Sequence, residues 1–199
     1  MYSKLDKQEN ILLCDKETSM EYLDIVDENG IPTGETIERA IAHQTGIRHR
    51  TTHVWIVRKR ENRIQILLQK RSKNKDSFPG CYDISSAGHI PAGDEFAESG
   101  LRELEEELGL VIQKDELIDC GLHRVFVENR FHGIYYKDNQ ISKVFLLWKD
   151  IEVEDLKLQT EEIESAMWMD FEECKRAVKN ESIPNCISLA ELALLEEHM

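Results

Sequence analysis

The stretch from Gly88 to Leu110, GHIPAGDEFAESGLRELEEELGL, constrains the fold of this chain more than any other. Its apolar residues recur at intervals of three and four, which is the spacing of a helix with one buried face. The residues of this face are Ala97, Leu101, Leu104 and Leu108. Gly109 follows directly, and glycine is the residue that most often ends a helix. The sequence therefore predicts an amphipathic helix packed on a core.

Three glutamates lie beside the apolar face of this helix. Residues three and four apart share a helix face, so Glu103 lies next to both Glu106 and Glu107. Carboxylates gathered in this way repel one another unless a cation lies between them. Hard oxygen ligands suit Mg²⁺ or Mn²⁺, and we expect one of these ions as the cofactor.

The same stretch resembles the Nudix box, whose pattern is G, five residues, E, seven residues, then R-E-apolar-x-E-E-x-G-apolar. The residues in register are Gly88, Arg102, Glu103, Leu104, Glu106, Glu107, Gly109 and Leu110. One position departs, since Asp94 stands where the pattern has glutamate. That substitution shortens the side chain and keeps its charge, and the rest of the motif is specific.

The resemblance implies a fold and a set of functional residues. The fold is α/β, a Nudix-type α/β/α sandwich around a mixed β-sheet, with the similarity covering roughly residues 20–175. Metal ligation is implied for Gly88, Glu103, Glu106 and Glu107, and a catalytic role for Glu103, Glu106 and Arg102. Glu103 is our choice for the general base, and Arg102 would orient the glutamates. A further acid ligand is expected from a distal loop, where Glu162 is our choice and its neighbour Glu161 the alternative.

The flanks of the box are similar to the Nudix branch related to type 1 isopentenyl-diphosphate isomerases. Those enzymes use a cysteine before the Gly-His pair and a glutamate on a later strand. This chain has Ala87 and Gln140 at the matching positions, and neither side chain ionises. The glutamates that the isomerases lose are retained here. We therefore expect hydrolysis rather than isomerisation.

Other residues match ligand-binding positions of the isomerases. His43 and His49 match histidines that hold a second metal there, although histidines at this spacing also serve as polar contacts or helix caps. Arg71 and Lys75 match basic residues that hold diphosphate, and we assign them to substrate binding. The segment VFVENRFHGIYYKDNQ is expected to be a long connection that acts as a lid or stacks a base, with Tyr135 as our substrate-binding residue and Phe131 and Tyr136 as alternatives.

Composition restricts the partners and the location. The chain has 199 residues and a net charge of −14, which argues against binding to nucleic acid or to anionic membranes. Its five cysteines form no C-x-x-C pair, so we expect reduced thiols and a cytoplasmic protein. The sequence shows neither a signal peptide nor an apolar run of transmembrane length. A homodimer is compatible with these features.

The rest of the chain divides into short elements. We expect an arm over residues 1–20, a Nudix domain over 21–180, and a C-terminal helix over 181–199 that packs on the domain. Strands are predicted within 21–35, 51–59, 63–70, 82–89, 117–127, 141–149 and 163–169, and helices at 35–43, 170–179 and 186–198.

Three functions follow from the sequence, in this order. The first is a divalent-metal-dependent hydrolase that cleaves the diphosphate linkage of a nucleoside diphosphate derivative or a related organic diphosphate. The second is an enzyme like the isopentenyl-diphosphate isomerases. The third is a Nudix module that binds without turnover, which the complete glutamate set disfavours.

Overall fold

The computed structural model describes residues 20–199, so the predicted arm, Met20 excepted, lies outside the described residues. The strands are β1 (Tyr22–Val26), β2 (Pro32–Glu38), β3 (His49–Arg60), β4 (Arg63–Arg71), β5 (Tyr82–Asp83), β6 (Ser86–His89), β7 (Ile118–Phe131), β8 (Ile134–Trp148) and β9 (Ile163–Asp170). The α-helices are α1 (Arg39–Thr45), α2 (Phe96–Leu108), α3 (Phe171–Lys179) and α4 (Leu189–Glu196).

Seven strands form one mixed sheet, as predicted. Its main order is β5-β4-β3-β8-β7, with β6 paired to β3 and β9 paired to β4. The β3–β8 pair is parallel and the other pairs are antiparallel. β1 and β2 form a separate antiparallel hairpin. The central strand β3 therefore carries β8 on one edge and both β6 and β4 on the other.

Helices cover both faces of the sheet, which confirms the predicted α/β/α arrangement. On one face, Leu104 and Leu108 of α2 are fully buried against Val54 and Ile56 of β3 and their neighbours. On the other face, α3 and α4 pack over a core that contains Trp55. Alternate residues of β3 thus point into two different cores, which is the expected pattern for a buried strand.

The C-terminal segment belongs to the second of these cores. The predicted helix over 186–198 runs from Leu189 to Glu196. Its Leu192 and Leu195 are fully buried beside Trp55, together with Ile187 from the preceding loop. Within residues 20–199, no helix is long and apolar enough to cross a membrane.

Two of the predicted hairpins are confirmed by their turns. The β3–β4 turn places Glu61 and Asn62 at φ values of 48° and 62°, the left-handed conformation that two-residue hairpin turns require. The β1–β2 turn uses Gly30 at φ 77°, where the side chain of Asp27 accepts the backbone N–H groups of Asn29 and Ile31.

Two predicted elements have different bounds. The predicted helix at 35–43 begins at Arg39, because residues up to Glu38 pair with β1 and this pairing overrides their helix propensity. The predicted strand at 82–89 is two strands, β5 and β6. The Ser85 hydroxyl between them donates to the Leu67 carbonyl at 2.6 Å and accepts the Ile56 N–H at 2.8 Å. A side chain therefore satisfies two backbone groups that would otherwise bond to the backbone of a neighbouring strand.

The predicted long connection before Gln140 is wrong. From Gly121 onward, β7 pairs with β8 in one continuous register up to Phe131 and Ile134, so the loop contains two residues. His132 and Gly133 lie at φ 49° and 83°, the conformation of a tight hairpin turn. The polar and aromatic residues assigned to a lid are therefore strand residues. Their side chains alternate between the two faces of the sheet.

Candidate active site

Helix α2 holds the three glutamates against β6. The carboxylate of Glu107 accepts the Ser86 hydroxyl at 2.6 Å and the Ala87 N–H at 3.3 Å, and the residue is only 5% exposed. Its neighbour Glu106 points outward, with a side chain that is 52% exposed. The helix thus presents one carboxylate fixed in the protein and one at the surface.

Glu103 lies directly over Gly88. A Cβ atom built on Gly88 would lie 2.2 Å from the carboxylate of Glu103, far inside van der Waals contact. Any larger residue at this position would displace the Glu103 carboxylate from its present place, so glycine permits the close contact of Glu103 with β6. The predicted ligands Gly88, Glu103 and Glu107 are therefore brought together by the packing of α2 on β6.

Arg102 connects the exposed and buried parts of this cluster. Its guanidinium donates to Glu103 at 2.7 Å, to Glu106 at 2.9 Å and to the carbonyl of His89 at 3.4 Å. Through these bonds one planar guanidinium holds two carboxylates in place relative to β6, and the orienting role of Arg102 stays a prediction.

We call Gly88, Glu103, Glu106 and Glu107 the acidic cluster. Burial of Glu103 and Glu107 favours neutral carboxyl groups in the absence of a cation. Burial raises the pKa of Glu107 to about 8, against a lowering contribution from the Ser86 hydroxyl. Burial also raises the pKa of Glu103, although the guanidinium of Arg102 lowers it. A divalent cation would reverse this balance, and carboxylate and carbonyl oxygens are the ligands that Mg²⁺ and Mn²⁺ take. The residues present therefore fit such an ion.

The predicted basic residues are engaged with carboxylates. Arg71 donates to Asp83 at 2.8 Å and to the Ser77 carbonyl at 3.2 Å and 3.1 Å. The ammonium of Lys75 pairs with Glu162, the predicted distal ligand. The charge of Lys75 also lowers the pKa of both Glu107 and His89. Lys75 thus lies close to the acidic cluster, and the alternative ligand Glu161 is exposed.

A second cluster lies on the other side of β6. One ring nitrogen from each of His43, His49 and His89 lies within 4.8 Å of the other two. The Nε2 atoms of His43 and His89 are 2.9 Å apart, and the Tyr136 hydroxyl lies 3.3 Å from His43 Nε2. The three rings come from α1, β3 and β6, and we call them the histidine cluster.

Asp138 of β8 completes the histidine cluster. Its Oδ1 lies 3.7 Å from His43 Nδ1 and 4.0 Å from His49 Nε2. These three atoms are buried and have no hydrogen-bond partner among the described residues. The other nitrogen of His49 bonds the Ile47 carbonyl at 2.9 Å, so Nδ1 carries the proton and Nε2 presents its lone pair. Metal-binding histidines have this arrangement.

Burial keeps the histidine cluster uncharged. It lowers the pKa of His43 to about 3, with a further lowering from His49, and it lowers the pKa of His49 and of His89 as well. It raises the pKa of Asp138 to about 6. Neutral imidazoles that converge beside a carboxylate are suited to a transition metal rather than to Mg²⁺.

The predicted binding residue Tyr135 and its alternative Tyr136 point in opposite directions. Tyr135 is 69% exposed and lies beneath the guanidinium of Arg130, so it faces away from both clusters. Tyr136 points to the opposite face because β8 alternates, and its ring stacks on His43 with centroids 4.4 Å apart. Phe131 contacts both Tyr136 and Phe78. These aromatic rings close one side of the histidine cluster.

Sequence reasoning missed His89, Asp138 and Ser86. His89 directly follows Gly88, the first residue of the Nudix box, and this position in the sequence could have identified it. Asp138 carries no local signal, because its role depends on the parallel pairing of β8 with β3 that puts Gln140 opposite His49. Ser86 acts through Glu107 across the β6–α2 interface.

Comparisons with known proteins show the family of the chain. The NUDIX domain family matches residues 47–187. The chain is 37% identical over 169 residues to Nudix hydrolase 3 of Arabidopsis thaliana, which covers 81% of this chain and 21% of that protein. It is 32% identical over 160 residues to an uncharacterised Nudix hydrolase of Clostridium acetobutylicum, which covers 80% of this chain and 75% of that protein.

Solved structures share the fold. DR0079 from Deinococcus radiodurans superposes with a TM-score of 0.63 at 21% identity, over 86% of this chain and 96% of that chain. The NUDIX domain of Shewanella oneidensis NrtR, solved in complex with ADP ribose, gives a TM-score of 0.53 at 14% identity, over 75% of this chain and 86% of that chain. At these identities the likeness concerns the fold alone.

Proposed function

Since the chain belongs to the Nudix hydrolase family, we propose that it is a diphosphate hydrolase whose activity depends on Mg²⁺ or Mn²⁺ held by the acidic cluster. The observation that carries the proposal is the contact of Glu103 with Gly88 beside the buried Glu107. Buried carboxylates are costly unless a cation or hydrogen bonds compensate them. A divalent ion would supply that compensation at the point where phosphate oxygens must bind.

The residues that would hold the ion are the Gly88 carbonyl and Glu103, Glu106, Glu107 and Glu162. When bound, the ion would lower the pKa of a water molecule and offset charge on the phosphoryl oxygens. Glu103 is the proposed base that takes the proton from the attacking water, because it is close to β6 and only partly buried. Arg102 would keep Glu103 and Glu106 in position. Glu162 would reach the ion only after exchanging its present partner, Lys75.

Lys75 and Arg71 are the proposed contacts for the substrate diphosphate. The charge of Lys75 lowers the pKa of Glu107 and of His89, and a phosphate oxygen would compete with Glu162 for its ammonium. Arg71 already donates hydrogen bonds to Asp83 and to the Ser77 carbonyl. It would bind phosphate through the guanidinium N–H groups that these two contacts do not use. By family analogy, we assign the substrate to nucleoside diphosphate derivatives or related organic diphosphates. A cytoplasmic location belongs to the same proposal, since the described cysteines are free thiols.

The histidine cluster supports a second metal centre in the same protein. His43, His49, His89 and Asp138 would hold a transition metal ion, and one buried atom of His43, His49 and Asp138 lacks a partner among the described residues. This centre is part of the likeness to the isomerase branch. Ala87 and Gln140 carry no ionisable group there, which supports hydrolysis over isomerisation. A binding module without turnover would leave the cost of the buried glutamates uncompensated.

The test is a screen of nucleoside diphosphate derivatives and other organic diphosphates with Mg²⁺ or Mn²⁺, with released phosphate or nucleotide as the readout. We expect hydrolysis of at least one compound, loss of that hydrolysis in chelator, and recovery when the ion is restored. Hydrolysis at an undiminished rate in chelator would contradict the proposed metal dependence.

A further inference from the structure

Strand β7 forms an open edge of the sheet. Within residues 20–199 it pairs only with β8, and a bulge between Asp119 and Gly121 interrupts the pairing near its beginning. Ten consecutive residues, 122–131, follow the bulge in regular pairing with β8. An exposed edge of this length is a template for pairing with another strand.

The regular part of this edge, after the bulge, lacks the two residues that most often block strand pairing. Proteins commonly block an open edge with lysine or proline, and β7 contains neither. Instead Phe126 is 65% exposed and Leu122 is 43% exposed, on the same face of the strand. The charged residues of that face, Arg124 and Glu128, stand two positions to either side of Phe126. Apolar residues are therefore displayed at an edge whose backbone groups are available.

The sequence of the edge is complementary to itself. If two copies of β7 pair antiparallel about a two-fold axis at Phe126, the two phenylalanines lie opposite each other. Arg124 of each copy then lies opposite Glu128 of the other, and this occurs twice. On the opposite face of the strand, Val125 lies opposite Val127, again twice. Opposite charges and β-branched pairs are the cross-strand contacts that stabilise antiparallel sheets.

Neighbouring registers lack this complementarity. An axis at Arg124 would set the two arginines against each other, and an axis at Glu128 would set the two glutamates against each other. Like charges directly opposite are destabilising. An axis at Val125 would place Arg124 opposite Phe126 and leave Glu128 without a cationic partner. The register centred on Phe126 satisfies both charges.

The charged residues are available for such contacts. Arg124 has no carboxylate within 4.0 Å among the described residues. Glu128 pairs with Lys137 at 3.2 Å, with side chains that are 54% and 39% exposed. An exposed ion pair of this kind contributes little, so it does not hold Glu128 away from a partner.

We propose that β7 is the interface of a homodimer, in which two copies of this chain pair antiparallel about Phe126 and join their sheets into one. A strand pair with few large side chains buries less area than the standard protein interface of about 1,600 Å². We therefore expect a dissociation constant on the order of micromolar to tens of micromolar. The interface contains no residue of the acidic cluster or the histidine cluster. A failure of the dimer proposal would therefore leave the proposed hydrolase activity untouched, and the reverse also holds.

Charge reversal tests the register with the full chain. Sedimentation equilibrium should show that Arg124→Glu and Glu128→Arg each weaken self-association by roughly tenfold or more, because each turns two attractive pairs into two repulsive ones. Arg63→Glu makes the same charge change at an exposed position in the β3–β4 hairpin and should leave association unchanged. Circular dichroism checks that each variant is folded.

Two combinations distinguish this interface from any other. The double variant Arg124→Glu/Glu128→Arg should recover association to within a few-fold, because the charges are exchanged. An equimolar mixture of the two single variants should form a heterodimer in which all four charges are paired, although each variant alone is largely monomeric. A wild-type protein that stays monomeric at about 500 µM would overturn the proposal. Failure of the mixture to associate would overturn it as well.

Discussion

The acidic cluster and the histidine cluster lie on opposite sides of β6 and are built in different ways. Consecutive residues of that strand, Gly88 and His89, belong one to each cluster. The acidic cluster uses oxygen atoms that come mainly from one helix. The histidine cluster takes its rings from α1, β3 and β6 and its carboxylate from β8. The comparison teaches that one short strand separates a group of hard oxygen atoms, suited to Mg²⁺, from a nitrogen-rich group suited to a transition metal, and both remain proposed ligand sets.

The largest expected effect is a loss of turnover in a variant that alters the acidic cluster alone. Glu106→Gln should lower kcat by roughly 100-fold or more, because it removes a proposed metal ligand at nearly constant shape. Glu105→Gln is the matched control on the same helix, since Glu105 is exposed and contacts neither cluster. The measurement is kcat on a diphosphate substrate, with circular dichroism as the folding check. Near wild-type turnover in Glu106→Gln would remove that residue from the proposed site.

The second prediction concerns a loss of metal affinity in a variant that alters the histidine cluster alone. His43→Ala should lower the affinity for Zn²⁺ or Co²⁺ by roughly tenfold or more, because one imidazole ligand is lost. Isothermal titration calorimetry and the visible spectrum of the Co²⁺ complex report on this affinity directly. His132→Ala removes an exposed histidine at the hairpin turn and serves as the control. Equal Co²⁺ spectra for His43→Ala and the wild type would contradict the second metal centre.

The third prediction sharpens the contact between α2 and β6. Gly88→Ala should destabilise the protein by about 1–3 kcal/mol, because the new Cβ overlaps the Glu103 carboxylate and the site is tightly packed. The cost should largely disappear in a Glu103→Ala background, which removes the overlapping atoms. The free energies of unfolding in urea of the two single variants, the double variant and the wild type form a double-mutant cycle that measures this coupling. An equal cost in both backgrounds would show that another neighbour sets the requirement for glycine.

The smallest effect distinguishes the clusters by the sign of their pH dependence in chelator. The pKa of Glu107 is about 8 in the folded protein, above its usual 4.5. Between these two values the folded state binds a proton that the unfolded chain releases. The free energy of unfolding therefore falls as pH rises through this range. The pKa of His43 is about 3, below its usual 6.5, so the unfolded chain binds the extra proton and stability falls as pH decreases from 6.5.

Thermal unfolding between pH 4.5 and pH 8 measures both trends. Of these two groups, only Glu107 contributes a slope above pH 6.5, whereas the two contributions oppose each other below pH 6.5. Glu107→Gln should therefore flatten the profile above pH 6.5 and make stability fall more steeply below it, and His43→Asn should change only the acidic part. A change above pH 6.5 in His43→Asn would show that the two clusters titrate as one unit.

Local patterns predicted the parts of the fold that depend on neighbours in the chain. The apolar spacing of α2, its end at Gly109 and the turn at Glu61 and Asn62 all follow from short-range rules, and the structure confirms them. The acidic ligand set was proposed from one helix for the same reason. The β7–β8 hairpin was missed because its polar residues resemble a loop, whereas its two-residue turn fixes a continuous register.

The histidine cluster depended on tertiary pairing. His43 and His49 were proposed from their likeness to isomerase residues, but Asp138 joins them only because β8 runs parallel to β3. The alternation of β8 also decides that Tyr136 faces the cluster and Tyr135 faces solvent. A single sequence does not specify which strands become neighbours, so ligand sets drawn from several strands lie beyond local rules.

The central claim is that chemistry takes place at the acidic cluster and is hydrolysis. The most direct test follows two products in parallel, phosphate or nucleotide released from a diphosphate substrate, and deuterium incorporated from heavy water into isopentenyl diphosphate. Both assays use Mg²⁺ or Mn²⁺, and both compare the wild type with Glu106→Gln. The account predicts hydrolysis that is lost in Glu106→Gln, with no enzymatic deuterium incorporation in either protein. Deuterium incorporation at an enzymatic rate that persists in Glu106→Gln would contradict it.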